Sequence, residues 1–302
     1  MSLNSIVLVK QVPDTKNITG QAMKADGTVN RQALPAIFNP DDLCALEMAL
    51  NVRDRYGGTV TVLSMGPPRA VEILRDSLCR GVDQVILLSD ARFAAADTLA
   101  TSYTLAKAVV KLGMPDILFC GRQAIDGDTA QVGPQLAEKL HVPQATYVQE
   151  VCIEDRHLFV KKDVENGYEI LRLPMPALLT ITAGIQPRPP AAKRLLRYKR
   201  SHTVLDLRSR LRKELTNLPP EELEPHVLRE ARSLEERGLL IPVWTADDVD
   251  ADRDRIGLPG SPTRVKKVEG VSLVGGETKK IPATEEGISS LIGELKAGHI
   301  LG

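Results

Sequence analysis

The chain has 302 residues, of which 43% are hydrophobic, enough to bury a full core in about two domains. Its 39 basic and 39 acidic residues balance, which argues against a general polyanion binder, and an aromatic content of 3% argues against a stacking surface for single-stranded nucleic acid. The cysteines stand far apart without metal-ligand spacing, and the amino terminus carries no signal peptide or membrane-spanning run. We therefore expect a folded cytoplasmic protein with reduced thiols, no nucleic-acid partner and no transmembrane segment.

The first 140 residues alternate short apolar runs with segments of helical periodicity. About five strands are predicted, among them 5–10, 59–64, 84–89 and 114–120, and they alternate with helices at 42–56, at 69–80 and up to Gly113. Asn39 or Asp41 is predicted to cap the first helix, and Asp97 or Thr98 the third. This alternation predicts an α/β fold with a doubly wound, mostly parallel Rossmann-like sheet, although the GxGxxG fingerprint of dehydrogenases is absent.

From residue 145 the hydrophobic period changes to two, which is typical of antiparallel strands. Tight turns are predicted at Glu154–Asp155 and at Asn166–Gly167, so that a hairpin addition follows the parallel sheet. Pro174 and Pro176 interrupt the last run, which predicts a sheet edge or a crossover before 177–182.

The remainder of the chain follows the hairpins as a basic segment, a charged helical segment and a carboxyl-terminal part. Residues 185–200 are basic and rich in proline, which predicts an exposed extended segment, and residues 205–240 have helical periodicity with narrow apolar stripes. A strand and a helix cap are predicted at 241–248, and a short last helix at 285–295. The domain boundaries that follow are 1–184 for the sheet with its hairpins, 185–240 for a loop with a charged helical insert, and 241–302 for a carboxyl-terminal arm.

A polar loop follows the buried strand 117–120 and precedes a helix that Thr129 is predicted to cap. Loops at the carboxyl ends of parallel strands bind ligands in open α/β sheets, and a helix amino terminus offers unpaired N–H groups to a diphosphate. Glycines would let the backbone approach a ligand, and the polar side chains between them can contact a ribose or a base; the glycines are Gly121, Gly127 and Gly133, and the polar residues Arg122, Gln123, Asp126, Asp128 and Gln131. The alternative is an ordinary β–α connection.

Two further loops are predicted to reach the same edge of the sheet. QVPDTKNITG follows the first strand, and Ser64-Met65-Gly66-Pro67-Pro68 follows the second, where a glycine again precedes a helix. No catalytic constellation accompanies them: the five histidines lack metal-ligand spacing, and neither a GxSxG elbow nor a Walker loop is present. Two carboxylates such as Asp126 and Asp128 are a possible metal or acid–base pair, but their position among glycines favours hydrogen bonding to ribose or to the loop itself. The sequence therefore predicts a cofactor carrier with no catalytic side chain and no metal.

The motif CGRQAIDGDTAQVGPQLAEKL at 120–140 strongly resembles the nucleotide loop of the beta subunit of electron-transfer flavoproteins. The resemblance continues at IVLVKQVPDT, FNPDDLCALEMAL, SMGPP, LPMPALLTI and VWTADDV with GLPGSPTRV, and covers nearly the whole chain except about 40 residues near 200–240. It implies a Rossmann-like domain, an alpha-subunit partner that carries FAD, and a carboxyl-terminal arm that embraces this partner.

The resemblance also implies the cofactor site. The residues that it places against the nucleotide are Val9, Lys10, Pro13, Asn39, Asp42, Ser64, Met65, Gly66, Pro67, Thr98, Cys120, Gly121, Arg122, Gln123, Asp126, Gly127, Asp128, Thr129, Ala130, Gln131 and Val132.

The family has two types. In the ordinary type the beta site holds a structural AMP, and the complex shuttles single electrons from acyl-CoA dehydrogenases. In the bifurcating type the beta site holds a second FAD that accepts hydride from NADH, and the two electrons part toward ferredoxin or flavodoxin and toward the alpha FAD, which serves an acyl-CoA dehydrogenase, a similar flavoprotein or a quinone-linked acceptor. Three segments resemble the bifurcating version: DGDTAQVGP, SMGPP and ADTLATSYTLA. In the first of them, small residues at 127, 129 and 130 leave room for a flavin diphosphate.

One departure and two rivals remain open at this point. The loop by which the family recognises dehydrogenases reads Gln186-Pro-Arg-Pro-Pro-Ala-Ala-Lys-Arg-Leu here, and the charged segment 201–238 after it is either a docking element or a surface embellishment. A nucleotide-binding regulator of the stress-protein type would explain only residues 1–140. An ATP-pyrophosphatase is weaker, because no serine–glycine-rich phosphate loop follows the first strand.

Overall fold

The structure is a computed structural model that describes residues 2–14, 34–215, 219–263, 279–298 and 300–301. Internal contacts divide the chain into two compact units, Met1–Lys266 and Lys267–Gly302. The first unit contains a nine-stranded sheet in the order β11-β5-β4-β1-β6-β10-β7-β8-β9. Its strands are β1 Leu3–Val9, β4 Gly58–Met65, β5 Gln84–Leu88, β6 Ile117–Gly121, β7 Gln144–Glu154, β8 His157–Val164, β9 Gly167–Pro174, β10 Ala177–Ile181 and β11 Val243–Trp244.

Helices cover both faces of this sheet, as the alternating pattern predicts. They are α1 Pro40–Tyr56, α2 Val71–Arg80, α3 Thr98–Leu112 and α4 Val132–Leu140. A small separate ribbon pairs β2 Gln11–Pro13 with β3 Ala36–Phe38. One core lies between the sheet and α1 with α2, and a second core lies between the opposite face and α3 with α4. The central strands are therefore buried on both faces, which explains why they read as continuous apolar runs. The doubly wound α/β fold is confirmed.

The hairpin addition is confirmed, with two changes. β7, β8 and β9 are antiparallel, but β10 runs parallel to both β6 and β7 and lies between them. The crossover predicted at Pro174 and Pro176 is thus present, and it leaves β9 at the sheet edge. The first turn is Asp155–Arg156, one residue later than predicted, with left-handed φ of 45° and 60° that match the twist of a two-residue hairpin. The second turn lies one residue earlier than predicted, at 165–166.

Three helix starts differ from the prediction. α1 begins at Pro40 rather than Asp42, because the fixed φ and missing N–H of proline suit the first helical position. α2 begins at Val71, after a short 3-10 turn at Pro68–Ala70. α4 begins at Val132, so Thr129 is not its cap; Gln131 occupies that position without a capping side-chain bond. For α3, the Asp97 side chain caps the helix by accepting from the N–H groups of residues 99 and 100.

The basic segment was wrongly predicted to be extended throughout. Seven of its residues form α5, Ala192–Tyr198, because alanine, leucine, lysine and arginine favour a helix once the prolines end. Arg188, in the proline-rich part, is held against α1 by Glu47 at 3.0 Å, Asp54 at 2.8 Å and Asn51 at 2.9 Å. The proline-rich base of this segment is therefore fixed to the body of the protein.

The helical periodicity of the charged segment is confirmed as two helices, α6 Val204–Glu214 and α7 Pro220–Glu236. Their apolar stripes face each other in a small core that includes Leu207, Leu211, Val227 and Leu234. Burying each such leucine stabilises the pair by about 1.5–3 kcal/mol. Arg75 of α2 joins the pair to the sheet domain through the Asp206 carboxylate at 2.7 Å and a backbone carbonyl at 2.8 Å.

The carboxyl-terminal part adds β11 to the outer edge of the sheet beside β5. The helix predicted after Trp244 is absent, since Asp248 closes a turn by accepting from both the N–H and the hydroxyl of Thr245. The second unit contains α8, Glu285–Ala297, which Thr284 caps; part of the predicted arm, 264–278, lies outside the described residues. Within the described ranges, the helices are too short or too polar to cross a membrane.

Candidate functional site

The sheet has a topological switch point between β1 and β6. From β1 the chain turns through α1 to β4 on one side, and from β6 it turns through α4 toward β7 on the other. The loops therefore separate at the carboxyl ends of these neighbouring strands and open a crevice, which is where open α/β sheets bind their ligands. The predicted cofactor residues at the ends of β1, β4 and β6 all belong to this edge.

Asp42, near the start of α1, joins the two strands that flank the crevice. Its carboxylate accepts hydrogen bonds from the backbone N–H of Lys10 at 2.7 Å and of Gly121 at 3.1 Å. Burial raises the pKa of this carboxyl to about 7, although the hydrogen bonds from residues 10, 39 and 121 oppose the shift. Asp42 thus holds the mouth of the crevice together through backbone atoms.

Lys10 spans the crevice with its side chain. The Nζ atom lies 2.8 Å from both carboxylate oxygens of Asp126. Because the two side chains remain 48% and 24% exposed, this ion pair adds little to stability. The Lys10 ammonium group is therefore already positioned beside the crevice, where it could bind an anionic ligand.

Two residues of the β6–α4 loop, residues 122–131, have a left-handed backbone. Asp128 and Ala130 have left-handed φ of 50° and 52°, and Gln123 Nε2 donates to Asp128 Oδ1 at 2.8 Å. Gln131 follows Ala130 with right-handed φ of −103°, and such successive conformations of opposite hand form anion-binding concavities. Since no side chain caps α4, the N–H groups of its first turn face the same place. The residues fit a diphosphate.

Two glycines of the loop region serve close packing, and one faces open space. A Cβ at Gly133 would lie 2.8 Å from Cys120 Sγ and 2.9 Å from Thr180 Cγ2, so glycine lets α4 pack directly on the strand ends. Gly121 is packed against the backbone of α1, whereas a Cβ at Gly127 would meet no atom of a non-neighbouring residue within 4 Å in the part of the chain that the structure describes.

The starts of α3 and α4 are coupled by amide side chains. Thr98 Oγ1 donates to Gln131 Oε1 at 3.0 Å, and Gln135 Nε2 donates to Thr98 Oγ1 at 3.2 Å. The prediction included Thr98 and Gln131 but missed Gln135. Its position four residues after Gln131, on the same helix face, was the available signal.

The remaining predicted residues differ in what they offer a ligand. Val9 and Cys120 are 5% and 6% exposed, so a ligand can meet only their backbone, and burial raises the pKa of the Cys120 thiol. Ser64 Oγ is buried without a hydrogen-bond partner among the described residues, whereas Met65, Gly66 and Pro67 are more open.

Arg122 and Pro13 lie at the border of the site. The Arg122 guanidinium lies 3.3 Å from the Asp41 carboxylate. Pro13 belongs to β2, and the part of the following loop at 15–33 falls outside the described residues. In the ranges that the structure describes, no cluster of histidine, cysteine and carboxylate residues could hold a metal ion.

Comparison with known proteins identifies the family. The electron transfer flavoprotein domain matches residues 26–196, just over half of the chain, including α1 and the β6–α4 loop. An electron transfer flavoprotein subunit beta from Clostridium acetobutylicum is 40% identical over 300 residues, 99% of this chain and 100% of that protein. The chain belongs to the electron-transfer flavoprotein family, as a beta subunit.

Other members of the family carry names that mention larger complexes. The caffeyl-CoA reductase-Etf complex subunit CarD of Acetobacterium woodii is 36% identical over 298 residues, 98% of this chain and 99% of that protein. The acryloyl-CoA reductase electron transfer subunit gamma of Anaerotignum propionicum is 36% identical over 304 residues, 98% of each chain. The resemblance drawn from the sequence motifs is thereby confirmed at the level of the family, while the individual cofactor ligands stay predictions.

Proposed function

We propose that this chain is the beta subunit of an electron-bifurcating electron-transfer flavoprotein. Paired with an alpha subunit that carries its own FAD, it holds a second FAD and takes hydride from NADH in the cytoplasm. One electron passes to ferredoxin or flavodoxin, and the other passes to the alpha FAD and then to an acyl-CoA dehydrogenase, a similar flavoprotein or a quinone-linked acceptor. The names of the relatives from A. woodii and A. propionicum, which mention CoA-ester reductases, support an acyl-CoA-linked partner.

The open geometry of the β6–α4 loop carries this proposal. Among the described residues, apart from its chain neighbours, none has an atom within 4 Å of a Cβ built at Gly127, and the uncapped start of α4 follows two left-handed residues, Asp128 and Ala130. An adenine mononucleotide needs one phosphate position, whereas FAD needs space for a diphosphate and a ribityl chain. Small side chains at 127, 129 and 130 leave this space above the helix start.

The residues of the crevice would bind and orient the cofactor. Lys10 and the N–H groups of Gln131 and Val132 would face the diphosphate, and Gln123 with Asp128 would face the ribose. A bound flavin would supply the hydride acceptance and the one-electron chemistry, for which the chain provides no side chain of its own. We also propose that 1–184 forms the cofactor domain, that 185–240 meets the redox partner and that 241–302 embraces the alpha subunit.

The nucleotide content of the complex tests the assignment of FAD. The heterodimer is purified after co-expression with its alpha subunit and denatured, and the released nucleotides are separated and counted. We expect two FAD molecules for each heterodimer, because the open loop accepts the longer cofactor. One FAD and one AMP would identify an ordinary electron-transfer flavoprotein and contradict bifurcation, whereas a flavin-free homodimer would favour the regulator.

Asp128 and Thr129 are expected to anchor the bound nucleotide. Asp128→Ala removes the carboxylate that orients Gln123, and Thr129→Val removes an exposed hydroxyl of similar shape. Each loss of a hydrogen bond should cost about 1–3 kcal/mol of binding free energy, roughly ten- to a hundredfold in affinity. Calorimetric titration of nucleotide-free heterodimer with FAD measures this effect.

Asp128→Asn is the matched control for these variants. Asparagine tolerates the left-handed backbone at this position and still accepts from the Gln123 amide, so FAD affinity should stay close to that of the unmodified protein. The flavin of the alpha subunit should remain bound throughout. Equal loss of both flavins would show that the substitution unfolds the subunit, and this result would contradict a local role.

A further inference from the structure

The Asn39 side chain binds the backbone of the β6–α4 loop, in addition to its hydrogen bond to the Asp42 side chain of α1. Its Nδ2 donates to the carbonyl of Gln123 at 2.8 Å, and its Oδ1 accepts from the N–H of Ile125 at 3.1 Å. Both ends of the amide therefore bind backbone atoms more than 80 residues away in the chain. The side chain is completely buried, at 0% exposure.

The position of Asn39 makes this use of the amide unusual. Asn39 precedes Pro40 at the N-cap of α1, where asparagine normally accepts from an N–H of the first turn and stabilises the helix by about 1 kcal/mol. No such capping bond is present. The backbone N–H of Asn39 instead donates to the carbonyl of Lys10 at 3.0 Å, so that one residue links the end of β1, the start of α1 and the loop.

The loop needs such a constraint because part of its backbone is strained. Asp128 and Ala130 both have left-handed φ, which costs about 1–2 kcal/mol at Ala130, whereas aspartate tolerates it better. Without a constraint on residues 123–125, the loop would populate relaxed conformations in which the N–H groups before α4 no longer converge. The apparent affinity for a ligand falls in proportion to the population of the competent conformation.

We infer that Asn39, which the resemblance places against the nucleotide, is instead a positioning residue, whose amide holds the β6–α4 loop in its nucleotide-binding conformation without touching the nucleotide. This inference rests on the proposed nucleotide site but not on the identity of its occupant. AMP and FAD share the adenosine and the first phosphate, so both should lose affinity when the loop loses its constraint. A side chain that contacted the flavin part would affect FAD alone.

The test compares Asn39→Ala with Asn51→Ala in heterodimer from which the beta-site nucleotide has been removed. Asn51 lies on the same helix, and its side chain contacts Arg188 on an exposed surface. AMP and FAD are titrated calorimetrically, and hydrogen exchange of the peptide 121–131 is followed without ligand. We expect Asn39→Ala to weaken both ligands by a similar factor, roughly tenfold, and to accelerate exchange in the loop, while Asn51→Ala changes neither.

Two further variants keep the test decisive. Asn39→Ser retains a hydroxyl that can cap α1, so helix and alpha flavin should survive while the loop constraint is lost. The double variant that combines Asn39→Ser with Asp128→Ala should weaken AMP binding by less than the product of the factors measured for the two single variants. The reason is that a loop released by the first substitution no longer holds residue 128 against the nucleotide. Three results would overturn the inference. Asn39→Ala could leave the affinity for both nucleotides unchanged, or it could weaken binding without accelerating hydrogen exchange in the loop. In the double variant, the two separate factors could simply multiply. If FAD fails to bind but AMP responds in this way, the inference stands and only the bifurcating function fails.

Discussion

Gly121→Ala is expected to lower the free energy of unfolding by about 3 kcal/mol and to abolish nucleotide retention. A Cβ at this position would lie 2.4 Å from Asp42 Oδ1 and 2.6 Å from backbone atoms of Asp41 and Asp42. Backbone atoms cannot yield as the tip of a side chain does, so α1 must move away from β6. This movement breaks the bond from Asp42 to the Gly121 N–H and opens the crevice. The urea midpoint and the nucleotide content of the heterodimer, at fixed protein concentration, measure both effects.

Gly127→Ala is the matched control in the same loop. A Cβ there meets no atom of the other described residues within 4 Å beyond its chain neighbours, and the residue does not require a left-handed φ. The free energy of unfolding obtained from its urea midpoint should therefore differ from that of the unmodified protein by no more than about 0.5 kcal/mol. Equal destabilisation by the two alanines would contradict the close packing of Gly121 on α1.

Asp42 is expected to make the stability of the protein depend on pH between about 4 and 7. Its folded pKa of about 7 lies above the ordinary 3.8 because of burial, so the folded state binds the proton more tightly than the unfolded state does. The stabilising contribution is fully present below pH 3.8 and is lost as the pH rises through 7. The total change is at most about 4 kcal/mol.

Asp42→Asn should remove this contribution to the pH dependence. Asparagine has one oxygen where the carboxyl has two, so one backbone N–H loses its acceptor and the variant is less stable by about 1–3 kcal/mol at pH 4. The difference in free energy of unfolding between the variant and the unmodified protein should then narrow as the pH rises, because only the unmodified protein must bury a charge. The urea midpoints of both proteins between pH 4 and 8 measure the difference, and parallel curves would refute the assigned titration.

Asp54→Asn on the same helix should show the opposite direction. Although burial raises the pKa of Asp54, hydrogen bonds from Arg53 and Arg188 outweigh it and hold the pKa below its ordinary value. Stability from this group is therefore present above the unfolded pKa and is lost as the pH falls through the folded value. The difference in free energy of unfolding between the unmodified protein and Asp54→Asn should shrink as the pH falls. For Asp42→Asn the corresponding difference shrinks as the pH rises toward neutral.

Local patterns in the chain were sufficient to predict the layout of the site. Apolar runs of five to eight residues between glycines and helical periods required strands buried on both faces, and only a parallel sheet with helices on both sides buries them. The loops after such strands then had to meet at one edge, which placed Lys10, Ser64 and Arg122 near each other without knowledge of any contact.

Capping and the role of Asn39 lay beyond the reach of local patterns. Thr129 and Asn39 both have side chains suited to capping a nearby helix, and only the folded chain shows which partner each atom meets. Asn39 binds the carbonyl of Gln123, a long-range contact that replaces the local one, and α4 starts after residues whose left-handed φ postpones the helix. Asp42 likewise gains its high pKa from burial between two strands that are distant in sequence.

By itself, the sequence determined the alternation of strands and helices, the glycine-bearing loop and the kinship with electron-transfer flavoprotein beta subunits, because each is written in residues close together along the chain. Only the tertiary structure decided the insertion of β10 between β6 and β7 and the hydrogen bonds from the Asn39 amide to the backbone of the β6–α4 loop. These features depend on which distant backbone groups remain without a hydrogen-bond partner once the core has packed, and every buried group must find one.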